Sequence, residues 1–344
     1  MHLSEILQIR SSPGQCCFLS ITRKCPLHCA HCATESSMEA MEELEEEDIL
    51  RFVDTFSEDP PQILFLTGGE ALTRPSLVHK IALKAKDWGV KVHVTSGMFF
   101  AKEPLLSPSL SKIIEGLSHF TASVDSFHEA QVSREKVFRS LKTILDMGIS
   151  VSIQTLAREN HDPYVKDLVR DTERCFGSNV PIFLAPLVSS GRASSWVSCQ
   201  IKKLETPGEI HPCSLASWPV VNFQGNIVAC CHDSITKNQQ TPSHLCLGNI
   251  RNTTWKEVKH QMIHSTYLRA LRTYGPLYLA SQCRNEIQDY CEACMYFLPD
   301  QKKLENLMRQ EKAQFIEEYA QKIAQKKSYL LPEYGSVVYS LFKI

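Results

Sequence analysis

The sequence predicts an α/β protein, a partial (β/α)6 barrel with a smaller cysteine-rich C-terminal domain. From Cys16 to about Pro186, short β-rich runs alternate with stretches of helical period, which is typical of βα units around a parallel sheet. After Gly191 this alternation ends, and loops that contain Pro, Gly, Ser and Cys follow. The fourteen cysteines are also grouped, since most lie in the first 32 residues or in the last third of the chain.

Six runs are predicted to be strands. They are CCFLSIT (16–22), QILFL (62–66), KVHVT (91–95), HFTASV (119–124), ISVSIQ (149–154) and IFLAP (182–186). Amphipathic stretches between them supply the helices, and residues 76–88, which end before Gly89, are a clear case. Six βα units imply an open or partial barrel, in which the loops after the strand C-termini carry the chemistry.

Helical patterns return after the barrel. A capping-box pattern, Thr254-Trp-Lys-Glu257, begins one predicted helix that ends by Tyr274. A charged segment near 300–326 is expected to pack on the body through apolar residues near helical spacing. These residues are Leu304, Met308, Phe315, Tyr319 and Ile323.

The charge balance argues against a polyanionic partner. The chain has 37 Lys and Arg against 38 Asp and Glu and no long basic run, so we expect no nucleic-acid partner. No apolar stretch approaches the roughly 18 residues of a membrane span, and the start MHLSEILQIR lacks the apolar core of a signal peptide. These features predict a cytoplasmic protein without a membrane partner.

Reduced, clustered cysteines in such a protein suggest a metal. The sequence Cys25-Pro-Leu-His-Cys29-Ala-His-Cys32 directly follows the first predicted strand. Three thiolates with no fourth nearby suit an iron–sulfur cluster that leaves one iron open to an exogenous ligand. The alternative is a structural zinc site, with His28 or His31 as the fourth ligand. Four other cysteines, Cys16, Cys17, Cys175 and Cys199, are expected to be small buried hydrophobes.

The C-x3-C-x2-C loop after the first strand of a βα repeat resembles the radical SAM superfamily. Thr67-Gly68-Gly69-Glu70 looks like that family's GGE motif, whose glycines let the backbone approach S-adenosylmethionine (SAM) and whose strand edge or carboxylate takes its amino group. Ser123 and Asp125 are similar to its SxD pattern, which reaches the ribose hydroxyls. The alternative for these two residues is ordinary strand-end capping.

The resemblance implies further SAM contacts. Thr95-Ser96-Gly97 looks like the usual TNG turn with Ser96 in place of Asn. Gln154 and Arg158, after the fifth strand, are candidates for the methionine carboxylate. His31 occupies the position of an aromatic residue just before the third cysteine, where its ring can stack on adenine. Cys25, Cys29 and Cys32 would then bind the [4Fe-4S] cluster to which SAM coordinates.

The last third of the chain resembles the SPASM extension, which holds auxiliary clusters. The matching features are Cys213-x11-Gly225-x4-Cys230, Leu247-Gly248-Asn249-Ile250 and Cys291-Glu-Ala-Cys294, with Gly191-Arg192-Ala193 at the barrel exit. No cysteine follows Cys294, so the shorter Twitch form is the better match. It implies one auxiliary [4Fe-4S] cluster, ligated by Cys213, Cys230, Cys291 and Cys294.

Three cysteines are left over by this assignment, namely Cys231, Cys246 and Cys283. Cys231 is a candidate catalytic thiol that quenches a substrate radical, whereas the alternative is a buried cysteine or a substitute ligand. The chain then divides into an N-terminal segment (1–15), a radical SAM barrel (16–200), an auxiliary iron–sulfur domain (201–298) and a C-terminal helical segment (299–344).

The resemblance implies that the enzyme cleaves SAM reductively to a 5′-deoxyadenosyl radical, which abstracts hydrogen from a substrate. A flavodoxin or ferredoxin would supply the electron. The favoured substrate is a ribosomally made peptide that is crosslinked, epimerised or given a thioether. The alternative is a small secondary metabolite, such as a sugar-like antibiotic intermediate. A non-catalytic metal-binding scaffold is disfavoured, since it has no need for Gly68-Gly69-Glu70 or for Ser123 and Asp125.

Overall fold

The computed structural model describes residues 1–159, 161–197, 210–232, 241–282, 290–296, 300–326, 329–331, 334 and 337–340. Within these residues, eleven strands form a single sheet. The strands are β1 (Cys16–Ser20), β2 (Ile63–Thr67), β3 (Lys91–Ser96), β4 (His119–Ser123), β5 (Ser150–Ala157), β6 (Ile182–Pro186), β7 (Val220–Val221), β8 (Asn226–Val228), β9 (Cys246–Asn249), β10 (Tyr329–Leu330) and β11 (Val338–Ser340).

The described part of the chain contains thirteen α-helices. They are α1 (Leu3–Arg10), α2 (Glu46–Asp54), α3 (Pro75–Asp87), α4 (Pro108–Glu115), α5 (Ser126–Glu129), α6 (Arg134–Asp146), α7 (Pro163–Phe176), α8 (Trp255–His264), α9 (Thr266–Tyr274), α10 (Pro276–Ser281), α11 (Tyr290–Tyr296), α12 (Gln301–Met308) and α13 (Glu311–Lys326). None of the described helices is both long enough and apolar enough to cross a membrane.

Strands β1 to β6 form the predicted open barrel. They lie side by side in chain order and every neighbouring pair is parallel, so all six strand predictions are confirmed. Their outward residues, such as Leu19 and Leu66, belong to the main hydrophobic core with α2, α3, α6 and α7. Because side chains alternate across a strand, the residues between them face the opposite, inner side of the sheet.

The inner face of the barrel is partly filled by α1. Ile6 packs with Cys16, Ile63 and Phe65, which confirms the buried state expected for Cys16. Leu3 and Leu7 pack with Phe183 on β6. The sequence predicts only an N-terminal segment for residues 1–15, whereas in the structure α1 packs against β1, β2 and β6 on the inner face of the barrel.

The second lobe continues the same sheet. Strand β7 pairs in parallel with β1 at Phe18, and β8 and β9 follow it antiparallel. The capping box of Thr254 and Glu257 is confirmed. The prediction of one helix up to Tyr274 is wrong, because Ser265 breaks it and its side chain caps α9.

The C-terminal segment adds two helices and a hairpin at the β6 edge. Leu304 is buried as predicted, but Phe315 and Tyr319 are 71% and 59% exposed, so the predicted packing face of α13 is wrong. Ala313 and Ala320 are buried instead. The side chain of Ile323 lies outside the described residues, as do the predicted domain boundaries near 200 and 298. The domain division therefore stays a prediction.

Candidate active site

The cysteine loop follows β1, and each of its three sulfurs accepts a hydrogen bond. The donors are the amide of Leu27 to Cys25 Sγ (3.4 Å), Gln131 Nε2 to Cys29 Sγ (3.3 Å) and the amide of Ser36 to Cys32 Sγ (3.4 Å). N–H groups directed at sulfur favour the thiolate, which is the form that ligates a metal. The donor set therefore fits an iron–sulfur cluster held by three cysteines.

The loop gives its thiols different acidities. Burial raises the pKa of Cys25 to about 12. Burial also opposes ionisation of Cys32, but hydrogen bonds from Thr34 and Ser36, together with the charge of Arg192, lower the pKa of this thiol overall. The loop thus keeps the thiols of Cys25 and Cys32 away from water. At Cys32, hydrogen-bond donors offset the effect of burial on the pKa.

The spacing of candidate ligands argues against a compact zinc site. Among the described residues, one group of three possible ligands lies within 4.8 Å of one another, and it consists of His31, Asp125 and His128 without any cysteine. Sulfurs at about 2.3 Å from a single zinc ion would lie only ~4 Å apart. The three cysteine sulfurs are therefore not all as close together as the ligands of a single zinc ion would be.

A segment after β6 holds the cysteine loop from the other side. Arg192 donates three hydrogen bonds to carbonyl oxygens of the loop. Its Nε donates to Cys29 (2.9 Å), its backbone amide to Cys32 (3.1 Å) and a terminal guanidinium nitrogen to Ser36 (3.0 Å). Gly191 has φ +52°, and a Cβ there would lie 2.2 Å from the Cys32 carbonyl oxygen. The sequence marks this Gly-Arg pair only through its resemblance to a barrel exit, and the contact of the pair with the loop is not predicted from it.

The Gly68-Gly69-Glu70 turn packs against the start of the cysteine loop. A Cβ on Gly69 would lie 2.3 Å from the carbonyl oxygen of Lys24, and one on Gly68 would lie 2.3 Å from that of Thr22. The close approach that requires these glycines is thus made by the protein's own backbone. The predicted approach of SAM to the same turn stays a prediction.

Glu70 ties the ends of β2 and β3 together. Its buried carboxylate accepts hydrogen bonds from Ser96 Oγ (2.9 Å), from the Gly97 amide (2.9 Å) and from the Leu72 amide (3.2 Å). Burial raises the pKa of Glu70 to about 7 in spite of these donors. Glu70 and Ser96 therefore hold each other in place, and the predicted contacts of both residues with SAM stay predictions.

Asp125 shows the capping role that was its alternative interpretation. It caps α5 by accepting from the amides of Phe127 (2.9 Å) and His128 (3.0 Å), and its second oxygen accepts from His128 Nδ1 (2.8 Å). His31 Nε2 lies 3.7 Å from that oxygen, and its ring centroid lies 4.7 Å from that of Phe127. Burial lowers the pKa of His31, and its Nδ1 is buried without a hydrogen-bond partner among the described residues.

Ser123, the last residue of β4, is the register partner of Gln154, and both are partly exposed. The prediction that Gln154 follows the fifth strand is wrong, because β5 continues to Ala157. Arg158 lies just beyond β5, where it donates to Ser126 Oγ (3.0 Å) and lies over the Phe127 ring at 4.7 Å. The structure thus brings the predicted SAM-binding residues to one end of the barrel. Their contacts with SAM stay predictions.

Four cysteines from separate parts of the second lobe line one cavity of about 1130 Å³. These are Cys213, Cys230, Cys291 and Cys294, the predicted auxiliary ligands. Tyr267 donates to Cys294 Sγ (3.8 Å), and burial raises the pKa of this thiol to about 12.

The remaining cysteines have separate surroundings. A hydrogen bond with Cys230 lowers the pKa of Cys231, and the positive charge of Arg10 adds to this effect. Cys246 lies 3.8 Å from the carbonyl oxygen of Gly248. The prediction that Cys175 is buried is wrong, since this residue is exposed on α7. Cys17 is buried as expected, while Cys199 and Cys283 lie outside the described residues.

An open parallel barrel with a three-cysteine loop at its strand ends defines an iron–sulfur enzyme. Residues 19–171, which contain the cysteine loop and strands β2 to β5, match the model of the Radical SAM superfamily. Its members are enzymes that bind a [4Fe-4S] cluster and SAM, and the resemblance inferred from the sequence is confirmed.

Two relatives and one solved structure show the extent of the similarity. The AdoMet-dependent heme synthase of Nitratidesulfovibrio vulgaris is 29% identical over 182 residues, which cover 51% of this chain and 48% of that protein. The antilisterial bacteriocin subtilosin biosynthesis protein AlbA of Bacillus subtilis is 27% identical over 155 residues, covering 44% and 35%. The chain thus spans half or less of these relatives. Streptococcus suis SuiB bound to S-adenosylmethionine shares the fold, with a TM-score of 0.55, 12% identity and coverage of 85% and 77%.

The hydrogen bond from the side-chain amide of Gln131 to Cys29 is predicted to affect the midpoint potential of the cluster on this loop. Replacing Gln131 with Leu removes the N–H donor at Cys29 Sγ. We expect a more negative midpoint potential for the cluster bound by this loop, because hydrogen bonds to sulfur stabilise the reduced state. An EPR-monitored redox titration measures it, with the exposed Gln310→Leu as control. A midpoint potential equal to that of the wild type would show that this amide does not tune the site.

Proposed function

We propose that this chain is a radical SAM enzyme that modifies a ribosomally made peptide, with one auxiliary [4Fe-4S] cluster in its second lobe. The auxiliary ligands would be Cys213, Cys230, Cys291 and Cys294. The observation that carries the proposal is that these cysteines, distant in sequence, line one cavity. Thiolates gathered from separate segments are the ligands that iron–sulfur clusters require.

Cys25, Cys29 and Cys32 would hold the catalytic cluster, which supplies the electron that cleaves SAM to a radical able to abstract hydrogen from the substrate. The chain's own residues position the loop and limit the access of water. Arg192 and Gln131 fix the loop through its carbonyls and through Cys29. Ser123 and Gln154 offer polar groups on the open inner face, and α1 closes the floor and limits access of water.

Two similarities favour a peptide substrate. One relative is a bacteriocin biosynthesis protein. SuiB, whose fold this chain shares over 83% of its length with a TM-score of 0.55, has been crystallised with its precursor peptide SuiA. Crosslinking, thioether formation and epimerisation are the candidate reactions, and Cys231 is the candidate hydrogen donor for epimerisation. A flavodoxin or ferredoxin is the proposed electron donor in a cytoplasmic setting.

A small metabolite is the second candidate, because several relatives are AdoMet-dependent heme synthases. The two candidates differ in product. Reaction of a short peptide encoded beside this gene, followed by mass spectrometry in heavy water, would reveal hydrogen loss or deuterium gain in the peptide. An unchanged peptide together with turnover of a small molecule would favour the metabolite.

The auxiliary cluster has its own test. Anaerobically reconstituted wild type is expected to bind about eight irons, and Cys213→Ala about four, with cleavage of SAM to 5′-deoxyadenosine retained. Cys246→Ala is the matched control, because Cys246 is not among the residues that line the cavity, and it should keep about eight. Equal iron content in Cys213→Ala and wild type would rule out this ligand set.

A further inference from the structure

Arg10, the last residue of α1, lies in a box of aromatic rings inside the barrel. Its guanidinium carbon is 3.7 Å from the ring centroid of Trp218, 5.3 Å from that of Phe18, 5.6 Å from that of Phe65 and 5.8 Å from that of Phe183. Aromatic faces attract a cation, but they offer no acceptor for its N–H groups.

The box contains donors without acceptors. Arg10 Nε is buried and has no hydrogen-bond partner in the described part of the chain, and the same holds for Trp218 Nε1. No described carboxylate pairs with Arg10. Burial lowers the pKa of Arg10 only to about 10, so the group remains a cation at neutral pH. The charge of Arg10 acts on the thiols of Cys231 and Cys16, but the hydrogen bonds of its buried Nε and of Trp218 Nε1 stay unmade among the described residues. Buried donors without acceptors are costly unless an acceptor such as an anion binds there.

The position of the box places it on the floor of the reaction chamber. Phe18 and Phe65 are register partners two residues before Ser20 and Thr67, hence about 7 Å below the strand ends that carry the predicted SAM residues. Thr67 is partly exposed on the inner face, as is Arg10. Trp218 lines the cavity of the auxiliary cysteines on the other side. The box thus lies below the strand ends and, through Trp218, borders the cavity that the auxiliary cysteines line.

We propose that Arg10 binds a carboxylate of the substrate, with Trp218 Nε1 as a second donor. The guanidinium fork matches a carboxylate in two parallel hydrogen bonds, and the surrounding rings exclude the water that would weaken them. This inference deepens the proposed function and rests on it for the identity of the substrate. It does not depend on SAM cleavage, so the two are tested separately.

The experiment compares charged probes with neutral isosteres on the reconstituted protein, by ligand-observed NMR. One pair is N-acetyl-Ala-Glu-Ala-amide and its Gln analogue, and the other is benzoate and benzamide. At least one pair is expected to show about tenfold tighter binding of the carboxylate. The peptide pair would indicate a peptide carboxylate, and the aromatic pair a carboxylate of a small molecule.

Two variants decide the role of Arg10. Arg10→Met should remove the preference for the carboxylate, while Arg170→Met, at a side chain 71% exposed on α7, should keep it. Should Arg10→Met fail to fold, Arg10→Lys decides instead: loss of the fork should reduce the preference about threefold. No preference in the wild type, or a full preference in the Arg10 variant, would overturn the proposal. SAM cleavage is assayed in parallel as 5′-deoxyadenosine, so failure of the enzyme assignment is seen independently.

Discussion

Replacing Cys29 with Ala is expected to abolish SAM cleavage and leave the auxiliary site loaded. Cys29 is buried, it accepts the hydrogen bond of Gln131, and its carbonyl is held by Arg192. No other described cysteine beyond Cys25 and Cys32 lies on this loop, so the lost thiolate has no local substitute. Formation of 5′-deoxyadenosine with dithionite should fall by about 1,000-fold or more, and bound iron from about eight to about four.

The control is Cys175→Ala, which removes an exposed cysteine on α7. This variant should keep both the iron and the rate of cleavage. Cleavage at the wild-type rate by Cys29→Ala would show that the loop does not carry the catalytic cluster. Loss of all iron would instead show that the two cysteine groups depend on each other.

The barrel strands could be predicted because each is a short apolar run bounded by turn residues. Helix α1 was not visible in the same way. Its N-cap is His2, whose ring accepts from the Ser4 amide, and histidine is not one of the residues that usually mark a helix start. The break at Ser265 could not be seen either, because apolar residues continue at helical spacing on both sides of it.

The cysteines of the site could be predicted from spacing, whereas the residues that hold them could not. Gln131 reaches Cys29 from 102 positions away, and Arg192 reaches it from 163 positions away. Such contacts depend on how the chain folds back at the strand ends, which local patterns do not encode. Cys175 was predicted to be buried from its residue type alone. It is exposed because it lies outside the buried stripe of α7 that includes Leu168 and Phe176.

The helical face of α13 was mispredicted because apolar residues occur on two sides of it. Small residues, Ala313 and Ala320, are the buried ones, while the larger Phe315 and Tyr319 remain exposed. Apolar size alone therefore gave the wrong face. Close packing of α13 against α9 favours small side chains at the contact.

Replacing Gly191 with Ala is expected to be the most damaging single-methyl change near the site. The residue has φ +52°, and the new Cβ would lie 2.2 Å from the Cys32 carbonyl and 2.5 Å from that of Ala33. Backbone strain of about 1 kcal/mol and overpacking of about 1–3 kcal/mol together predict a loss of about 2–4 kcal/mol in the free energy of unfolding. Because the clash is with backbone, the cysteine loop itself must shift.

Gly89→Ala separates the two causes. Gly89 lies just after α3 with φ +70° and has nothing within 4 Å of the added Cβ, so this variant carries the backbone strain without the clash. Urea unfolding should show a loss of about 1 kcal/mol for Gly89→Ala and the larger loss for Gly191→Ala. Only Gly191→Ala should also lose iron and 5′-deoxyadenosine formation, because only it displaces the carbonyls on which the loop rests. Equal behaviour of the two variants would mean that the segment after β6 does not hold the cysteine loop in place.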